Sequence, residues 1–140
     1  MLHIRKEFDM ENTLKFLQDA KTFYFGTASG DQPEIRPFGF VMEFEGKLYF
    51  GMGEHKNVYK QLLQNPKFVV VAVNGADWIR IRATAKLGAS EEALAKAFEV
   101  NPFLAKLYND ETGLTLGLVE AADAEVEKCN MMGPVETYKL

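Results

Sequence analysis

Residues 78–87 read WIRIRATAKL, with apolar and polar side chains exchanging places at every step. A helix turns by about 100° per residue and would scatter these side chains around its axis. An extended strand sorts them. Ile79, Ile81, Ala83, Ala85 and Leu87 fall on one face, and Trp78, Arg80, Arg82, Thr84 and Lys86 on the other. A strand with one apolar face is stable only within a larger sheet that covers that face, so this segment commits the chain to a β architecture with several strands.

The rest of the sequence supplies those strands. Thr22–Ser29 is β-branched and aromatic-rich, Gly30-Asp31-Gln32-Pro33 is a turn, and Glu34–Phe44 returns as its hairpin partner. Glu45-Gly46 turns the chain again into Lys47–Gly51, which completes an antiparallel meander. Lys67–Val73 carries an unbroken apolar run, the pattern of a strand buried on both faces. Further strands are expected at Leu114–Glu120 and Ala124–Cys129. Between them lie helical segments. Asp9–Ala20 places Met10, Leu14 and Leu17 at helical spacing, and His55–Gln64 turns Val58, Leu62 and Leu63 one way before Asn65-Pro66 stops it. Ser90 caps a helix to about Val100, Asn101-Pro102 breaks it, and Phe103–Tyr108 forms another turn or two. The expectation is a mainly β fold: an antiparallel barrel of about seven strands, closed or nearly so, with peripheral helices, and one domain spanning residues 1–140.

Composition narrows the function classes. A chain of 140 residues with 47% hydrophobic and 26% charged residues can bury a self-sufficient core. Its net charge of −4 argues against affinity for a nucleic-acid backbone. The longest apolar run, Phe68–Val73, is far too short for a membrane span, and the first residues lack the apolar stretch of a signal peptide. The single cysteine, Cys129, forms no internal disulfide, which points to a reducing cytoplasm. One cysteine and two histidines do not make a structural zinc site.

Three places carry candidate chemistry. Arg36 shares strand parity with Phe38, Phe40, Met42 and Phe44, and an arginine ending an apolar stripe requires either an anion or a nearby carboxylate such as Glu54. Beside it Pro37 marks an edge or a bulge. On the polar face of the alternating strand, Trp78 with Arg80 and Arg82 suits a subunit interface or a planar anionic ligand, and also an ordinary solvated face. Finally, Gly51-Met52-Gly53-Glu54-His55-Lys56-Asn57 joins a strand to a helix. Glycines permit close backbone approach, the helix start offers free N–H groups to a phosphate, and Lys56 adds a positive charge. A plain turn with a solvated lysine would read the same way. No serine or cysteine is arranged as a nucleophile near His55, so covalent hydrolysis is not supported.

In this order, the segment RPFGFVMEFEGKLYFGMGEHKNVYKQLLQNPKFVVVAV followed by WIRIRATAKL resembles the pyridoxamine 5′-phosphate oxidase-like, FMN-binding split-barrel family. The likeness begins near Phe23 and runs through Leu87, and the helix after Ser90 with Asn101-Pro102 is similar to a short bacterial branch. The resemblance implies a homodimer that binds FMN at its interface. It would set Arg36, Pro37, Phe38 and Gly39 along the isoalloxazine and ribityl chain, and Gly51 beside the cofactor. Lys56 and the helix start at Asn57 would take the phosphate, and Trp78, Arg80 and Arg82 would contribute from the barrel strand or across the dimer. It also implies an FMN-dependent oxidoreductase with a small-molecule substrate and an electron donor such as NAD(P)H. The last residues, EKCNMMGPVETYKL, contain neither Trp nor Arg, a departure from the substrate-binding end of the oxidase proper. The short branch is similar to nitroimidazole-reductase-like proteins and to relatives that bind haem or a deazaflavin. A flavin- or haem-binding protein without catalysis, with His55 as the haem ligand, is therefore the alternative.

Overall fold

A computed structural model describes the backbone of residues 2–140 and the side chains from Arg5 onward. Helix α1 (Leu2–Ala20) leads into β1 (Phe23–Ser29), β2 (Gln32–Phe38), β3 (Val41–Phe44) and β4 (Lys47–Gly53). Helix α2 (Asn57–Gln64), β5 (Lys67–Asn74) and β6 (Asp77–Lys86) follow. Two helices, α3 (Glu91–Val100) and α4 (Leu104–Leu107), precede β7 (Leu116–Asn130) and β8 (Gly133–Lys139). The strands form one antiparallel sheet in the order β2-β1-β5-β6-β7-β4-β3, with β8 added to β7. The two ends of this path, β2 and β3, do not pair with each other, so the barrel is split there. Among the described residues no helix is long and apolar enough to cross a membrane.

The alternation that fixed β6 is realised residue by residue. Ile79, Ile81, Ala83 and Ala85 are buried, while Trp78, Arg80 and Thr84 are half-buried and Arg82 and Lys86 are exposed. Inside the barrel, Phe25 stacks on Phe68 with ring centroids 4.7 Å apart and meets Phe38 and Phe50 edge-on. Offset stacks and edge contacts are the favoured aromatic arrangements, so this cluster fixes the facing of β1, β4 and β5. Met10 and Leu17 of α1 and Val58 and Leu62 of α2 join the same core. A second cluster, with Tyr49, Leu116 and Leu118 under Ala93, Ala97 and Leu104, seats α3 and α4 on the other side of the sheet.

Several elements differ from the sequence expectation. Glu34–Phe44 is two strands rather than one, because the chain breaks at Gly39-Phe40 and the parity resets, so that Val41 and Met42 are both buried. The break sends Phe38 to the main core and Phe40 to the second cluster. The two strands expected at Leu114–Glu120 and Ala124–Cys129 are one long strand, β7, which starts at Leu116. Asp123 bridges them with φ 52°, and two residues, Asp123 and Ala124, lie opposite Ala83 alone. This is a β-bulge, and a short polar side chain tolerates the left-handed conformation it requires. β8 brings the count to eight; its Pro134 is admissible because the strand lies at an edge. Helix α1 starts at Leu2 rather than near Asp9. Leu63 is 60% exposed, so it does not share the buried face of Val58 and Leu62.

The most consequential difference concerns β5. Phe68, Val70 and Ala72 are buried, but Val69 and Val71 are only half-buried and Val73 is 51% exposed. The outer face of this strand is apolar and lies open, beside exposed Tyr24 on adjacent β1 and Ile35 on β2 beyond it.

Candidate functional site

Pro37, Phe38 and Arg36 of β2 face Lys56, Asn57, Val58 and Gln61 of the α2 start across a cleft of about 410 Å³, with Glu34 on its rim. In the β1–β2 ladder Arg36 lies opposite Phe25. Strand parity therefore places its side chain on the same face as Phe25 and Thr27, which are buried.

The arginine is held at three points. Its Nη1 donates to the Phe25 carbonyl at 3.0 Å and to Thr27 Oγ1 at 2.8 Å, and its Nη2 donates to Gln61 Oε1 at 2.9 Å. Thr27 Oγ1 in turn donates to Gln61 Oε1 at 2.5 Å. A guanidinium has five N–H donors. Three are engaged here, which leaves the Nε–H and one Nη2–H without a protein acceptor among the described residues. Every acceptor is uncharged, so no carboxylate bonds the guanidinium directly. Glu54, the alternative partner, engages Tyr59 instead and helps to raise the phenol's pKa, behind the larger effect of burial. Burial lowers the Arg36 pKa, and the nearby Glu34 charge partly offsets this. An arginine nevertheless remains protonated at any physiological pH.

The helix start opposite is open. Lys56 occupies the N-cap of α2 with φ −78° and ψ 152°, a capping backbone conformation, yet no side chain caps the helix. Lysine offers no acceptor for that role. Neither Asn57 nor Val58 has a backbone acceptor for its N–H among the described residues, whereas the next amides, of Tyr59 and Lys60, donate to the Lys56 carbonyl. Helix α3 shows the contrast: Ser90 caps it from Ala93 at 3.1 Å, and Glu91 and Glu92 add negative charge to its first turn. The cleft thus gathers two free arginine donors, two free amides, a lysine and the positive end of a helix, a set suited to a phosphate group.

Arg80 and Arg82 sit elsewhere. They line a larger groove of about 1000 Å³ on the outer face of β1, β5 and β6, together with Gly26, Ile35 and Val69. Both arginines bond the Glu127 carboxylate, Arg80 at 3.2 Å. Burial alone would raise the Glu127 pKa, but the hydrogen bonds and charges of the two arginines outweigh it and hold the carboxyl below its usual range. Arg80 also lies over the Trp78 ring, 5.0 Å from its centroid.

The structure therefore brings Arg36, Pro37, Phe38, Lys56 and Asn57 together in one cleft and places Arg80 and Arg82 in another, with Glu34 common to both. Gly39, Gly51 and Trp78 line neither. Gly51 instead makes room for a side chain of its own chain, since a Cβ there would stand 2.7 Å from Phe40 Cδ2. The His55 ring lies over Gly53 next to Tyr108. Sequence reasoning missed Thr27 and Gln61. The parity of Thr27 with Phe25 was visible, but its meeting with Gln61, 34 residues away, depends on how α2 docks.

Comparison with known proteins gives a consistent picture. The sequence pattern described as pyridoxamine 5′-phosphate oxidase matches residues 10–132. The crystal structure of a NimC/NimA family protein from Clostridium acetobutylicum shares 34% identity over 94% of each chain, with a TM-score of 0.84. A pyridoxamine 5′-phosphate oxidase-related, FMN-binding protein from Nostoc punctiforme has a TM-score of 0.57 at 10% identity over 94% of each chain. An FAD-binding protein from Mesorhizobium loti has a TM-score of 0.58 at 13% identity, over 86% of this chain and 94% of its own. At such identities these last two bear on the fold alone. No curated protein matches the chain.

Proposed function

The chain belongs to the pyridoxamine 5′-phosphate oxidase family, and from that premise we propose that it is a homodimeric FMN-binding oxidoreductase of the cytoplasm, folded as one domain over residues 1–140. The observation that carries the reading is the cleft in which uncompensated Arg36, Lys56 and the uncapped start of α2 converge. Two fixed donors on Arg36 and two free amides can each meet a phosphate oxygen, while Lys56 supplies a mobile point charge. Pro37 and Phe38 continue the wall of the cleft and would run beside the ribityl chain. When bound, FMN supplies the transfer of electrons between a donor such as NAD(P)H and a small-molecule substrate. This chain's own residues bind, orient and shield it.

The homodimer is supported by the outer sheet face. Tyr24, Ile35 and Val73 are exposed there beside half-buried Val69, Val71 and Trp78. A contiguous apolar face flanked by an aromatic and two arginines has the composition of a subunit interface. On that reading Trp78, Arg80 and Arg82 act at the contact between copies and reach the flavin of one or the other.

The test is the visible spectrum of purified protein incubated with FMN and then dialysed. Retained flavin bands at about one FMN per chain, bleached by NAD(P)H, are expected, with loss of retention in Arg36→Ala and Lys56→Ala. Wild-type protein that stays colourless refutes the flavin reading, and a Soret band on adding haem would favour the haem-binding alternative.

A further inference from the structure

Resting on the reading of the cleft as a phosphate site, we propose that Thr27 and Gln61 are positioning residues that hold the Arg36 guanidinium ready for an anion, and so make the cleft select phosphorylated over unphosphorylated ligands. Three features of the network carry this inference.

The first is the chemistry of the acceptors. A carbonyl, a hydroxyl and an amide oxygen hold Arg36 at 2.8–3.0 Å. They fix the plane of the guanidinium while leaving its charge uncancelled. The same chain treats Arg80 and Arg82 differently, since both bond the Glu127 carboxylate, which offsets one of their two charges. A cation fixed by neutral groups gives up little freedom and keeps its full attraction when an anion arrives. Second, the amide of Gln61 has only one workable orientation. Its oxygen accepts from both Thr27 and Arg36, and the flipped amide would set its N–H donors against those of Arg36, which has no acceptor. Third, the network joins the two halves of the cleft. Thr27 stands on β1, Arg36 on β2 and Gln61 on α2, the helix whose first amides are free. Tying Gln61 to the sheet sets the distance between the arginine and those amides. Glu34 and Lys56 are the other charged groups lining the cleft, and neither bonds Arg36.

The test measures dissociation constants for FMN and riboflavin side by side, because only FMN carries the phosphate. Gln61→Met keeps the length and helix propensity of the side chain but loses the acceptor. It is expected to weaken FMN about tenfold and to leave riboflavin within about twofold. Gln61→Glu brings a carboxylate to Arg36 and is expected to weaken FMN further, again without effect on riboflavin. Thr27→Val should reproduce the Gln61→Met result, and Thr27→Ser, which keeps the hydroxyl, should restore wild-type selectivity. Gln61 is only half-buried, so Gln61→Met tests the proposal even where Thr27→Val fails to fold. An unchanged riboflavin-to-FMN ratio in folded Gln61→Met, or equal losses for both ligands, overturns the positioning role. If Arg36→Ala abolishes the preference for FMN while Gln61→Met keeps it, the phosphate site stands and the positioning role alone fails. If wild-type protein shows no preference for FMN, both fail.

Discussion

Replacing Lys56 with serine should make the protein more stable and a poorer flavin binder at once. The position already has N-cap geometry, φ −78° and ψ 152°, close to the φ −65° and ψ 160° of Ser90, whose hydroxyl caps α3. A serine at position 56 would offer its oxygen to the first-turn amides of α2, as Ser90 does to Ala93 at 3.1 Å. A serine cap in place of a residue that cannot cap contributes about 1 kcal/mol. For a chain of this size that corresponds to a rise of about 3–4 °C in Tm. Lys56 is exposed and has no ion pair among the described residues, only a position 6.0 Å from the Phe38 ring centroid, so little is lost in return. Binding should move the other way. Loss of one charge-assisted contact to phosphate is worth about 1.5–3 kcal/mol, or about a 10- to 150-fold increase in the FMN Kd. Differential scanning calorimetry of the protein without flavin, with flavin titrations beside it, measures both effects. A variant that is no more stable would refute the uncapped start of α2. A variant that binds FMN as tightly as wild type would refute a role for Lys56 in holding the phosphate.

Other expectations concern the core, the outer arginines and the open face. Phe25→Ala removes a fully buried ring that stacks on Phe68 and meets Phe38 and Phe50, and should cost about 3–5 kcal/mol in urea unfolding. Because Glu127 titrates lower in the folded protein, its bridge to Arg80 and Arg82 stabilises above the unfolded carboxyl pKa and is lost as pH falls through the folded one. The stability gap between wild type and Glu127→Gln should therefore be present at neutral pH and vanish in acid; a gap independent of pH would contradict the ionised bridge. Val73→Asp places a charge on the open face of β5, which should shift the protein from dimer to monomer in sedimentation. Unchanged mass would locate the interface elsewhere.

What could be read from the sequence followed the reach of local patterns. The period of β6 and the Ser90 cap of α3 are set within a few residues, and both appear as expected. Arg36 stands out locally as a charge ending an apolar stripe, whereas its grouping with Lys56 and Asn57 on one ligand is what the family resemblance implies. What escaped depends on contacts between distant segments. A bulge at Asp123 looks like a turn until Ala83 is seen opposite it. Pro134 hides β8 until the strand is known to lie at an edge. Glu127 becomes the partner of Arg80 only through the β6–β7 register. The apolar run of β5 points to a strand buried on both faces, whereas only Phe68, Val70 and Ala72 on one face are buried. A single chain covers only that face, and the other awaits a second copy in the proposed dimer.

The central claim, that the cleft between β2 and α2 holds a phosphate, is tested most directly by the affinities of wild-type protein for FMN and riboflavin at one fixed salt concentration. The free donors of Arg36, the Lys56 charge and the open amides of α2 together predict that FMN binds at least about 100-fold more tightly, with the difference shrinking as salt is raised. Equal affinities, unmoved by salt, would contradict the account.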